Sequence, residues 1–201
     1  MKKIIQVPYI DQTEKYPTGC ESISAVMLLQ YLGIDITPER FIDQCLEKRD
    51  FEFRQGILYG PHPDEAFIGS PYNNGPGSYG CYAGTIARAL ERASGQCAKI
   101  LRGVPVPELV REYIDRDIPV VFWATLNMAP HRPGPVWQLF DGSGEFAWRN
   151  NQHCLLLVGY DRENYYFNDP WENKGCIGYE KTLVEQRYRE MHSQAVVLEK
   201  Q

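Results

Sequence analysis

A chain of 201 residues, 43% apolar and 23% charged, is long enough to bury one full hydrophobic core, and one domain spanning 1–201 is expected. A formal net charge of −5 without any Lys/Arg cluster argues against a nucleic-acid partner, and no apolar run reaches the roughly 18 residues of a membrane span. Six cysteines without a C-x-x-C pair fit neither a disulfide-dependent fold nor a structural zinc site, so no metal is expected. The opening Met-Lys-Lys-Ile-Ile-Gln-Val-Pro lacks the apolar core of a signal peptide. A cytoplasmic location is expected if Met1 is the native start, and a secreted one if a leader has been removed.

Taken in order, Lys3 to Ile10 forms a short extended segment ending at Asp11-Gln12. A turn at Pro17-Thr18-Gly19 leads into a helix over 20–32, with Ile23, Val26, Met27, Leu29 and Leu32 at helical spacing and Ala25 and Leu28 on the other side. A helix apolar on nearly every side is a buried central one, and Gly33 stops it. Thr37 caps a second helix, with Pro38 at its first position and Phe41, Ile42, Cys45 and Leu46 inward.

Between about Arg54 and Gly80 the periodicity dissolves into Gly, Pro and Asn, with Phe67, Ile68, Tyr72 and Tyr79 interspersed. Its aromatics favour an ordered covering or binding loop over a linker. A helix follows over 82–94, ended by Gly95. Then come a short strand at 97–101, a helix over 107–117, and a β-branched, aromatic strand over 118–125. A second Pro/Gly-rich loop, 127–149, carries Trp137, Phe140 and Trp148 as exposed-looking aromatics. The last third is strand-rich: Gln152–Asp161, a turn at Arg162-Glu163-Asn164, Tyr165–Asp169, a pairing segment at Ile177–Tyr179, a mixed stretch over 180–190, and a closing strand at Gln194–Leu198. Helices first and an antiparallel sheet second make an α+β pattern.

Cys20 stands at the first turn of the central helix. Unpaired N–H groups and the dipole there favour a thiolate, which points to a nucleophile with a lowered pKa. The plainer reading is a small buried apolar residue. Cys81, after Gly80, also precedes a helix, but only Cys20 has a glutamine, Gln12, a short way upstream, whose amide could join the Cys20 N–H in binding an oxyanion. A cysteine nucleophile needs a base and an orienting group. His62 and His131 lie in Pro-rich loops and His192 in a polar tail, whereas His153 heads a rigid strand. The hairpin brings Asp169 back nearly opposite His153, although Asn168-Asp169-Pro170 also reads as a plain turn.

Together, Gln12…Gly19-Cys20 opening a helix, His153 with Gly159-Tyr160-Asp161, and Asn168-Asp169-Pro170-Trp171 resemble the papain-like cysteine peptidases, in the branch related to the double-glycine (bacteriocin-leader) peptidases. The chain order and the long Cys-to-His interval, about 130–150 residues in that fold, carry the likeness. The resemblance implies a papain-like α+β fold, a helical N-terminal half packed on a C-terminal antiparallel sheet. It also implies Cys20 as nucleophile, His153 as general base, Asp169 as orienting acid and Gln12 in the oxyanion hole. A peptide or protein substrate and no cofactor are implied with them. Exporter-fused leader peptidases usually have Asp-Cys-Gly where this chain has Gly19-Cys20-Glu21, so a Gly-Gly specificity does not carry over. The same triad would serve an acyltransferase or a small-molecule amide hydrolase, and an inactive binding module on this fold is the reading from outside enzymology. Oligomeric state leaves no mark in the sequence.

Overall fold

The computed structural model describes residues 2–199. After β1 (Lys3–Ile4) and an extended segment, the chain enters α1 (Cys20–Tyr31). Its all-round apolarity has the expected consequence: Ile23 and every residue from Ala25 to Leu29 are fully buried. The larger ones, Ile23, Val26, Met27, Leu28 and Leu29, are each worth about 1.5–3 kcal/mol of transfer free energy. Thr37 caps α2 (Pro38–Arg40) by accepting the Arg40 N–H, and the chain then widens into a π turn at Phe41–Cys45. Next come β2 (Lys48–Arg49), β3 (Glu52–Arg54), β4 (Ile57–Gly60), β5 (Phe67–Ile68), α3 (Ala83–Ser94) and β6 (Ala98–Arg102). Gly95, at φ 70°, ends α3 in the left-handed conformation that its lack of a Cβ permits.

The remaining elements are α4 (Val106–Glu112), β7 (Val120–Thr125), β8 (Arg132–Leu139), β9 (Glu145–Asn150), β10 (Gln152–Tyr160), β11 (Asn164–Asp169), β12 (Gly175–Glu180), α5 (Lys181–Glu190) and β13 (Gln194–Leu198). The mixed stretch over 180–190 is thus a helix, begun by the Glu180 carboxylate accepting the Thr182 and Leu183 amides. The main sheet runs β12-β11-β10-β7-β13-β6, antiparallel at each of these pairings, with β1 added against β10. α1 packs on β10 and β7 and touches α3. The α+β arrangement expected from the sequence is present, a helical first half laid on an antiparallel sheet.

The pairing around β10 sets where the two candidate triad residues on the sheet fall. β1 crosses β10 so closely at Gly159 that an added Cβ would sit 2.3 Å from the Lys3 carbonyl oxygen. Beside this point the β10–β11 register shifts between Leu157 and Gly159. The last registered pair is Leu156–Asn168, so Asp169 lies one step beyond it and His153 two steps further, along the same face of β10 as Leu155. The two residues are therefore diagonal neighbours rather than nearly opposite ones.

The two Pro/Gly-rich stretches, read from the sequence as loops, in part build a second sheet of order β3-β4-β8-β9. Pro133 and Pro135 remove ladder donors from β8, and its pairing with β9 is broken between Pro133 and Val136. That irregularity, together with a β4–β8 pairing distant in sequence, hides the sheet from local pattern reading. The aromatics are not exposed either: Trp137 and Trp148 are buried, and Phe140 is half-buried. The Trp137 ring lies 5.0 Å from both Phe51 and Phe146, and its indole N–H donates to the Pro61 carbonyl at 3.1 Å. Trp148 stacks on Tyr82 at 5.7 Å, which joins the small sheet to the segment entering α3.

Substituting Trp137→Ala removes both the ring and its hydrogen bond. A loss of about 3–5 kcal/mol in urea unfolding is expected. A loss below about 1 kcal/mol would show that the second sheet is not packed around this ring.

Candidate active site

The turn before α1 is held from two sides. The Gly19 amide donates to the Tyr16 carbonyl at 2.8 Å, and the Thr18 hydroxyl lies within hydrogen-bond distance of the Ser70 and Asn73 carbonyls of the 54–80 segment. Cys20 comes next, at the helix start, only 7% exposed. Its thiol donates to Glu21 Oε2 at 3.3 Å, and its sulfur accepts the Cys154 amide at 3.4 Å. Burial, and then the Glu21 carboxylate, push the thiol well above the ordinary cysteine range. The lowered pKa expected from the sequence is overturned, because a helix N-terminus favours a thiolate only where desolvation and a neighbouring carboxylate do not outweigh it.

Cys154 is the residue after His153, so the thiol sits at the head of the strand bearing the histidine. The buried His153 ring bonds through Nε2 to Asp169 Oδ1 at 2.7 Å. Nδ1 makes no hydrogen bond among the described residues, and none joins the ring to Cys20 Sγ. Asp169 has no exposed surface. Burial alone would raise its pKa. The hydrogen bond and charge of His153, the Trp171 amide at 3.1 Å and the Tyr179 hydroxyl at 2.8 Å more than offset it and bring the carboxyl down to about 2. Lys174 Nζ adds an ion pair at 3.4 Å. A carboxylate so held can fix one imidazole tautomer and stabilise the imidazolium.

Gln12 lies between the two halves of this arrangement. Its backbone N–H donates to the Pro170 carbonyl, and its carbonyl accepts the Tyr16 amide, both at 2.8 Å. Its carboxamide NH2 donates to the Tyr16 and Pro17 carbonyls at 3.3 and 3.2 Å, while Oε1 is buried without a partner among the described residues. The donor expected from the sequence to face an oxyanion is thus committed to the turn before Cys20. The Cys20 amide, first in its helix, has no intrahelical acceptor.

Among the described residues none of the other candidates bonds to His153 or Asp169. Cys81 is fully buried, its amide bound by Glu21 and its carbonyl by the Trp123 indole at 3.0 Å. His62 pairs with Asp64, His131 with Glu190, and His192 packs against Tyr82. Three partners of the site went unassigned in the sequence. Tyr179, Gln152 and Glu21 reach it across strands or from a neighbouring helix position, and of these only the unusual Gly19-Cys20-Glu21 run was a visible signal.

The model of the Peptidase_C39 like family matches residues 4–196. The chain belongs to this C39-like peptidase family. A protein from Bacillus anthracis named for its likeness to the C39 peptidases superposes on it with a TM-score of 0.87, at 28% identity over 100% of this chain and 98% of that one. A double-glycine motif protease from an AMS/PCAT transporter, crystallised with its leader peptide, shares the fold at a TM-score of 0.55 and 17% identity, covering 98% and 97%. YvpB of Bacillus subtilis (strain 168), an uncharacterized protein, is 29% identical over 182 residues, 90% of this chain and 69% of its own length. The papain-like fold of these peptidases is the fold of this chain. Among the described residues no helix is long and apolar enough to cross a membrane.

In this C39-like site Asp169 carries a pH signature. Its folded pKa of about 2 lies below the ordinary value of 3.8, so its contribution to stability is complete above about pH 4 and is lost as pH falls towards 2. Unfolding free energies of the wild type should therefore drop between those limits by about 2 kcal/mol more than those of Asp169→Asn. Equal slopes would contradict the pairing.

Proposed function

We propose that the protein is a cysteine peptidase or amide hydrolase working through a thioester acyl-enzyme on Cys20. The observation that carries this is the His153–Asp169 bond of 2.7 Å, with the Cys20 sulfur held by the amide of the very next residue, Cys154. With Nε2 occupied, His153 offers Nδ1 to the thiol.

In this reading a turn of the Cys20 side chain away from Glu21 brings Sγ to the His153 ring. His153 takes the thiol proton as Sγ attacks the scissile carbonyl carbon. The resulting oxyanion is received by the free Cys20 N–H. Gln12 joins it by exchanging its two long bonds to carbonyls for one to an anion, which is a stronger acceptor. His153 then protonates the leaving amine, the C–N bond breaks, and a thioester remains. Water, deprotonated by His153, attacks that thioester, the C–S bond breaks, His153 returns the proton to Sγ, and the acid product leaves. Asp169 stays ionised throughout and holds the ring. The family membership supports a peptide bond as the target, and the fold-mate crystallised with a leader peptide supports a peptide as the substrate class.

Incubation with peptide pools, followed by intact-mass analysis, should reveal cleavage and a transient acyl adduct on the wild-type chain. Cys20→Ala should abolish both, and His153→Ala should lower turnover by about 10³-fold or more. Cleavage that survives Cys20→Ala would refute the assignment.

A further inference from the structure

Glu21, the residue after the nucleophile, is a carboxylate with no exposed surface. Among the described residues no Lys, Arg or His forms an ion pair with it, so burial raises its pKa and its charge rests on hydrogen bonds alone. Oε1 accepts the Cys81 amide at 2.8 Å and the Gln152 side-chain NH2 at 2.7 Å. Oε2 accepts the Cys20 thiol at 3.3 Å. The space for Oε1 is reserved by Gly80, whose φ of 146° suits glycine and whose added Cβ would lie 2.4 Å from that oxygen. One buried carboxylate therefore joins the start of α1, the segment entering α3, and the residue preceding His153.

Such a group is costly to bury, and an apolar side chain would fill the space at less expense. Its second oxygen accepts the thiol of the nucleophile. We propose that Glu21 is a positioning residue that holds Cys20 in a resting, protonated state, and that breaking the Sγ–Oε2 contact frees the thiol to turn to His153. This rests on Cys20 being the nucleophile of the proposed function. Because Oε1 is fixed by two donors, Oε2 is the one oxygen whose partner can change without disturbing the staple. The titratable groups around the pair are Cys81 and Tyr82 from the segment entering α3, and Cys154 and His153 from β10. The first three carry no positive charge in any state, so none of them favours a thiolate.

The Glu21→Gln variant separates this from a packing role. Its Oε1 can keep the Cys81 and Gln152 bonds, while an NH2 in place of Oε2 donates to sulfur and removes the neighbouring negative charge. Iodoacetamide labelling of the intact protein, located by peptide mass spectrometry, gives the pH profile of Cys20 alkylation. The variant's midpoint should fall by about one pH unit, with labelling near pH 7 roughly ten-fold faster than in the wild type. An unchanged or raised midpoint in a folded variant would overturn the proposal. If Glu21→Gln does not fold, the infrared S–H band of wild-type Cys20, assigned by its loss in Cys20→Ala, decides the matter. A band shifted as for a thiol bonded to a carboxylate supports the contact, and a band at the free-thiol position overturns it. Failure of the nucleophile reading looks different: the wild-type Cys20 profile would be unaffected by His153→Ala, whatever Glu21→Gln does.

Discussion

The hydrogen bond between His153 Nε2 and Asp169 Oδ1, 2.7 Å long and closed off from solvent, organises much of the molecule around it. A buried carboxylate is tolerable only if its oxygens are occupied, and Asp169 collects partners from β10, from β12 through Tyr179, and from the Trp171 turn. Even its backbone is used, since the Tyr9 hydroxyl donates to its carbonyl at 3.0 Å and so draws the N-terminal segment to the same place. Gln12, a few residues on, then bridges from Pro170 to the turn before Cys20. The sheet, the N-terminal segment and the central helix are thus registered against one another through a single charged group.

The other half of the site is arranged in the opposite electrostatic sense. Asp169 stabilises positive charge on an imidazole, whereas Glu21 disfavours negative charge on a sulfur. The thiol is turned to Glu21 and to the Cys154 amide, away from the charge pair of the sheet. The small sheet enters this arrangement indirectly. Its aromatic filling packs Trp148 onto Tyr82, next to the Cys81 amide that anchors Glu21.

What could be read from the sequence was what depends on neighbours in the chain. The 20–32 helix, the Thr37 cap, the Gly95 stop and the hairpin from Gln152 to Asp169 rest on local periodicity and turn chemistry, and the structure has each of them, within a residue or two at most boundaries. Cys20, His153 and Asp169 could be singled out as candidates because a helix start and a hairpin are local signals that bring distant residues to one place. The second sheet was missed because prolines interrupt β8 and its partner β4 lies far away in the chain. The raised pKa of Cys20 was missed because desolvation depends on what covers a helix end, and Glu21 was passed over because two of its partners, Cys81 and Gln152, come from segments far from it in the chain.

If Cys20 and His153 act on one carbonyl carbon, a trapped carbonyl should show both residues at once. The most direct test is a crystal structure of the protein with a peptide aldehyde, which forms a hemithioacetal with a catalytic thiol. The expected result is a bond from the aldehyde carbon to Cys20 Sγ, His153 Nδ1 within hydrogen-bond distance of the adduct, and Nε2 still on Asp169. An adduct on another cysteine, or one on Cys20 with the His153 ring out of reach, would contradict it.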